Sequence, residues 1–269
     1  MQMDFKDDIR QAFVISKNEI KKFISGKKFL IFGILVLLII LLETIIPYVF
    51  NAPYESKDAL CASFVSFAVL IVELAGVLFT ATSLVSEFED RTALVLFTKP
   101  VNKWSIFVGK LMASMIAVGA FILIYYGYTA LFSFTASGDL NTVAFCQSLV
   151  LALFMMFAVC GVSMLFSSFA KKGSTASILT LVFFVLIIGL VTTLLSTMAH
   201  IDTWWSIDTA SGFVTYVLQG TYPVIIDVSP YIDYIPVVTE DIVKALGVMI
   251  VWGVVTNIIA FLIFRKRDF

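Results

Sequence analysis

The chain has 269 residues, of which 60% are hydrophobic and 14% charged, and its mean hydropathy is +1.02. Soluble domains lie near about 45–50% apolar and about 25% charged, so a soluble globular enzyme, a disordered chain and a nucleic-acid binder are excluded. The 18 Lys/Arg and 19 Asp/Glu nearly cancel, which leaves their placement, not their sum, as the informative quantity. The composition is that of an all-α polytopic membrane protein. Cys61, Cys146 and Cys160 stand in apolar surroundings without a metal-like spacing, so neither a disulfide framework nor a metal site is expected.

Residues 1–28 come first and are too polar to span. Phe5, Ile9, Phe13, Ile20 and Phe23 recur at helical steps, with Ser16 interrupting the stripe and Asp7, Asp8, Arg10, Lys17, Glu19 and Lys21 on the other faces. Such a helix suits the inner headgroup plane, as an anchor or as an elbow that bends at Ser25–Gly26 into the first span. Six apolar runs follow at about 29–49, 60–84, 111–135, 143–166, 176–198 and 246–264. Each is long enough to cross roughly 30 Å of hydrocarbon, and helices satisfy their own amides there. The first run begins late and is too long for a cleaved leader.

Sixteen of the eighteen basic residues fall before span one, between two and three, between four and five, or after six; Lys57 and Lys244 are the exceptions. The positive-inside rule then assigns both termini and those loops to the cytoplasm. An even number of spans is required, and six satisfies it.

Between spans two and three, Ser86 and Glu89 read as a capping box opening a short helix at about 86–99. Glu87, Glu89 and Asp90 fall in its acidic first turn, Lys99 in its last, and Pro100 ends it. Leu94, Val95, Leu96 and Phe97 make its far end apolar. That run either faces the inner ends of its own spans or inserts into a cleft of a soluble partner.

The stretch at about 203–240 is the one long outer segment, half apolar at 207–228 and carrying Asp208, Gly212, Gly220, Pro223 and Asp227. A seventh span there would break the charge parity, so a re-entrant segment before the last span is expected. Trp204, Trp205, Tyr216, Tyr222, Tyr231 and Tyr234 suit an outer aromatic belt, and His200 reads as interfacial. Glu43 and Glu73 are ionisable groups within spans. Each either lines a translocation path or bonds to a neighbouring helix. Met112, Met115, Met155, Met156 and Met164 read as apolar packing. Glycines and other small residues, among them Gly76, Gly119, Gly127 and Gly161, allow close helix packing.

Glu89-Asp90-Arg91-Thr92, then Lys99-Pro100-Val101-Asn102-Lys103, Gly109-Lys110 and the ending Phe264-Arg265-Lys266-Arg267-Asp268-Phe269 together resemble the pattern of ABC-2-type ABC transporter permeases. The resemblance implies a six-span permease of the exporter class, paired with a second permease copy or close homologue and with two cytoplasmic ATPase subunits. It also implies that the 86–99 segment is the coupling helix. Its ATPase-coupling residues would be Glu87, Glu89, Asp90, Arg91, Thr92, Leu94, Phe97, Lys99, Pro100, Val101 and Lys103.

No phosphate-binding loop is present. Gly109-Lys110 is followed by Leu111 and preceded five positions back by Trp104, and Gly26-Lys27-Lys28 has Lys21 there. ATP and Mg are therefore expected on the partner, with no cofactor on this chain. The alternative is a non-transporting membrane anchor or sensor for a cytoplasmic partner. An intramembrane enzyme using Glu43 or Glu73 lacks a second catalytic group at fixed spacing.

Overall fold

The computed structural model describes residues 5–50, 57–89, 102–137, 141–199, 201–225 and 232–267. Six helical segments among them are long and apolar enough to cross a membrane: Lys27–Pro47, Ala59–Glu87, Lys103–Ala136, Thr142–Phe169, Gly173–Met198 and Thr239–Lys266. The all-α polytopic class and the number of spans agree with the sequence. The third helix begins eight residues before its apolar run, at the end where the basic residues lie, and the sixth begins seven residues before its run, at the opposite end.

The chain enters through α1 (Phe5–Ser25), breaks at Gly26, and continues as α2 (Lys27–Val49). The face of α1 that packs on protein only partly overlaps its aromatic stripe. Ala12, Ser16 and Glu19 are buried, while Phe13 is 58% exposed. Small residues on α1 permit a backbone-close crossing with α5 (Lys103–Ser137), and Phe13 and Ile24 are left for the surroundings. Little of α2 is covered by protein. Phe29 and Phe32 hold it in place against Phe79 and Phe121, with ring centroids 4.8–6.1 Å apart, and Phe23 of α1 joins them 5.5 Å from Phe79.

Phe79 lies in a π-helical turn, Gly76–Thr80, that follows α3 (Lys57–Ala75). There α3 approaches α6 (Thr142–Phe169) so closely that a Cβ on Gly76 would stand 2.4 Å from Val159 Cγ1. α6 is the central post. It is buried along most of its length and packs on α3, α5 and α10 (Thr239–Lys266). Asn141 caps its start by accepting from the Ala144 amide at 3.4 Å. The fifth span is α7 (Gly173–Val182), a second π turn at Phe183–Ile188, and α8 (Gly189–Thr197).

Between the fifth and sixth spans the structure holds a helix and a strand pair. Ser206 opens α9 (Ile207–Gln219) by accepting from the Asp208 amide at 3.2 Å. Gly220 closes it at φ +74°, a left-handed position that glycine occupies without penalty. β1 (Thr221–Ile225) and β2 (Ile232–Pro236) then pair antiparallel, Thr221 opposite Pro236 and Ile225 opposite Ile232. No strand was expected in this segment. Its β-branched and aromatic residues, ending in Pro236, suit a short pair more than a helix. α9 wedges between α3, α6 and α10. Ser148 Oγ donates to Val214 O at 2.6 Å, and Trp252 Nε1 to Trp205 O at 2.9 Å.

The outer aromatics divide. Trp204 and Tyr234 are exposed, whereas Tyr216 and Tyr222 close on Phe213 at 5.7 and 5.2 Å. Burial, with Asp241 and Asp202 nearby, pushes the Tyr222 phenol above its usual pKa. Tyr231 and His200 lie outside the described residues. Gly127 has open space where its Cβ would be, so it takes no part in a close helix crossing.

Candidate functional site

One end of the bundle concentrates the buried charge. Lys110, two turns into α5, is 1% exposed. Its Nζ donates to Glu19 Oε1 of α1 at 2.8 Å, and it lies 2.9 Å from Glu87 Oε1. Glu87 belongs to the short helix α4 (Val85–Glu89) that leaves the second span. Three elements therefore meet on one ammonium. A buried cation is tolerated when paired, and breaking such a pair typically costs about 3–5 kcal/mol.

The neighbouring glycine explains how the elements come so close. A Cβ on Gly109 would stand 2.7 Å from the Ala12 carbonyl oxygen and 2.9 Å from Ile15 Cβ. Gly109 lets α1 cross α5 in backbone contact, and Lys110 spans the seam beside it. The Gly-Lys pair thus has a structural meaning that has nothing to do with phosphate.

α4 is held from the opposite side by α6. Ser167 Oγ accepts from the Leu84 amide at 3.1 Å and the Val85 amide at 3.3 Å. The expected cap, Ser86, lies inside the helix instead and donates to Ser83 O at 3.1 Å. A tertiary hydroxyl has replaced the local one, because the turn at Ala81–Leu84 brings the helix start against α6. Ser167→Ala is expected to cost about 1 kcal/mol. It should speed amide deuterium exchange at Leu84–Glu87 roughly fivefold and leave exchange in α9 unchanged.

The same end carries the C-terminal segment. Lys103 Nζ donates to the Arg265 and Arg267 carbonyls at 3.1 and 3.2 Å, where a cation suits the end of α10. Arg267 donates to Ser168 O at 3.1 Å and Ala170 O at 2.6 Å. Partial burial lowers the guanidinium pKa from its ordinary value. Asn102 Nδ2 donates to Asp8 Oδ2 at 3.2 Å, which ties the start of α5 to α1. A cavity of about 480 Å³ opens beside this contact, lined by Asp8, Trp104, Phe261 and Arg265 among others.

Of the residues assigned to coupling from the sequence, Glu87 and Lys103 thus sit in this network. Glu89 ends α4. Asp90, Arg91, Thr92, Leu94, Phe97, Lys99, Pro100 and Val101 lie outside the described residues. Glu19, Lys110 and Ser167 were missed as partners. The steps Ala12, Ser16, Glu19 mark a small helical face matched to Gly109, and that was the available signal.

The two intramembrane carboxylates lie nearer the other end and differ in setting. Glu43 Oε2 accepts from the Tyr125 hydroxyl at 2.6 Å, a hydroxyl that also stands 2.6 Å from Phe64 O. Tyr125 is fully buried, so Glu43 joins α2 to α3 and α5. Glu73 is half-buried in α3, and Asp208 on α9 lies within electrostatic range of it. Asp208 Oδ2 also accepts from Thr192 Oγ1 of α8 at 2.8 Å. From the sequence Asp208 was named only as a polar residue of the outer segment, and not as a neighbour of Glu73.

Among the described residues no group of His, Cys, Asp and Glu is arranged to hold a metal ion. A search of curated proteins finds no match. The family model described as "ABC-2 family transporter protein" matches residues 13–269. With six apolar helices and a match over nearly its whole length, the chain belongs to the ABC-2 family of transporter proteins and is a multi-pass membrane component of an ABC transporter.

Proposed function

We propose that this chain is an exporter-class permease. It works as a dimer with a second permease copy or close homologue, in the cell membrane, with both termini in the cytoplasm. Two separate cytoplasmic ATPase subunits bind ATP and Mg and drive it through the segment between spans two and three. Family membership already makes the chain the membrane component and implies an ABC ATPase partner. The observation that carries the coupling reading is the convergence of buried charge at the root of that segment. Lys110, Glu87 and Glu19 meet where α4 leaves the bundle, and Lys103 anchors the return.

At the other end, Glu73 and Glu43 are the residues proposed to face the translocation path, with Asp208 beside Glu73. α9 lies among α3, α6 and α10, and Trp205, two residues before it, accepts from Trp252 midway along the last span, which supports a re-entrant position near an outer gate. ATP hydrolysis would move the loop, and the loop would move the spans.

The test is topological and biochemical. In a Cys146→Ser background, Asn102→Cys should react with a membrane-impermeant maleimide in inverted vesicles and stay unlabelled in intact cells. An ABC ATPase of the native cell should co-purify with the wild-type chain. Labelling of Asn102→Cys in intact cells would reverse the orientation and remove the coupling reading.

A further inference from the structure

We infer that Lys110 is the positioning residue that makes α4, α1 and α5 move as one body, so that displacement of the coupling segment reaches spans one and three together. This rests on the coupling function proposed above and names its route.

The geometry is specific. One ammonium, buried to 1% exposure, lies 2.8 Å from a carboxylate of α1 and 2.9 Å from a carboxylate of α4, whose side chains are 11% and 15% exposed. The two carboxylates belong to elements far apart in sequence, and both turn toward the seam that Gly109 opens. Glu87 stands three residues before residues 90–101, so a pull on that segment acts on it first. Glu87 cannot withdraw alone. Doing so would strip a buried cation of one counter-charge, and at low dielectric that is far more costly than at a surface. The pull therefore passes to Lys110 and α5, and through Glu19 to α1.

α1 leads across Gly26 into α2, which Phe29 and Phe32 tie to Phe121 of α5. Spans one and three are thereby driven from a single point. The triad adds a second consequence. Lys110 is the contact common to both carboxylates, so removing it takes away the tie between α1 and α4.

The experiment uses the full complex, permease with its ATPase, in nanodiscs of phosphatidylethanolamine and phosphatidylglycerol, with Mg-ATP and vanadate as the probe. Spin labels at Leu42→Cys on α2 and Leu194→Cys on α8, both half exposed, report the span movement. In the otherwise unaltered triad, Mg-ATP should shift the distance distribution. Lys110→Met should keep the ATPase bound and hydrolysing while the shifted population falls at least tenfold, and Lys110→Arg should retain most of it.

A neutral triad, Lys110→Met with Glu19→Gln and Glu87→Gln, removes the buried charges together. It should recover thermal stability without recovering the shift. An unchanged shift in Lys110→Met, or a shift restored by the neutral triad, would overturn the inference and show that Lys110 only holds the fold. If Lys110→Met fails to fold, the neutral triad alone decides. An unaltered complex that binds no ATPase, or shows no shift, would overturn the coupling function and the inference with it. A normal unaltered complex with a normal Lys110→Met overturns the inference only.

Discussion

Leu94→Asp is expected to abolish co-purification of the ATPase while the permease still elutes as a folded, monodisperse species. Leu94 begins the apolar half of the proposed coupling segment, and its neighbours Val95, Leu96 and Phe97 would give a soluble cleft something to close on. An isolated carboxylate buried in such a cleft costs several kcal/mol, and about 2.7 kcal/mol already weakens binding a hundredfold. Arg91→Glu should act at the acidic, polar end of the same segment. There a reversed charge weakens association less and responds to salt, because exposed ion pairs are screened within about 10 Å at 0.1 M. The pair of variants separates an apolar anchor from an electrostatic guide. Both bind normally if the segment lies against the permease's own spans, and the coupling reading then fails.

The parts of this molecule that the sequence discloses are the parts governed by the solvent. Hydrocarbon demands about twenty apolar residues per crossing and admits helices, so the six spans and the break at Gly26 follow from composition and a single glycine. What escapes is whatever depends on which helix faces which. Phe13 belongs to a convincing stripe, yet the face of α1 that meets protein is Ala12, Ser16 and Glu19. The steps Ala12, Ser16 and Glu19 hint at a close-packing face, but do not say which later glycine accepts it. Ser86 has the spacing of a cap, but Ser167 from α6 supplies the oxygen, since the turn before α4 brings the two together. Asp208 stands at a helix start, the ordinary place for an acid, and its nearness to Glu73 appears only once α9 is wedged against α3. The strand pair that follows is invisible to a reading built on 3.6-residue and span-length periods.

The same reasoning sets the largest expected loss of stability, at Gly161. In lipid no hydrophobic force gathers the helices, so packing contact and interhelical hydrogen bonds must do it, and small residues are what let backbones approach. α6 and α10 form the most extensive helix pair, and they meet through two glycines. A Cβ on Gly161 would lie 2.4 Å from Thr256 Oγ1, 2.7 Å from Asn257 Nδ2 and 3.0 Å from the Gly253 carbonyl. A Cβ on Gly253 would lie 2.4 Å from the Phe157 ring. Gly161→Leu therefore meets a backbone oxygen as well as side chains, so rotamer changes alone cannot relieve it. Overpacking of this kind costs about 1–3 kcal/mol where side chains yield, and more is expected where two backbones must separate. The detergent-solubilised variant should melt well below wild type or fail to elute as a monodisperse peak. Gly127→Ala is the matched control, because open space surrounds that position. It should stabilise by up to about 1 kcal/mol through helix propensity alone. Equal melting temperatures for Gly161→Leu and wild type would mean that α6 and α10 are not held by this close crossing.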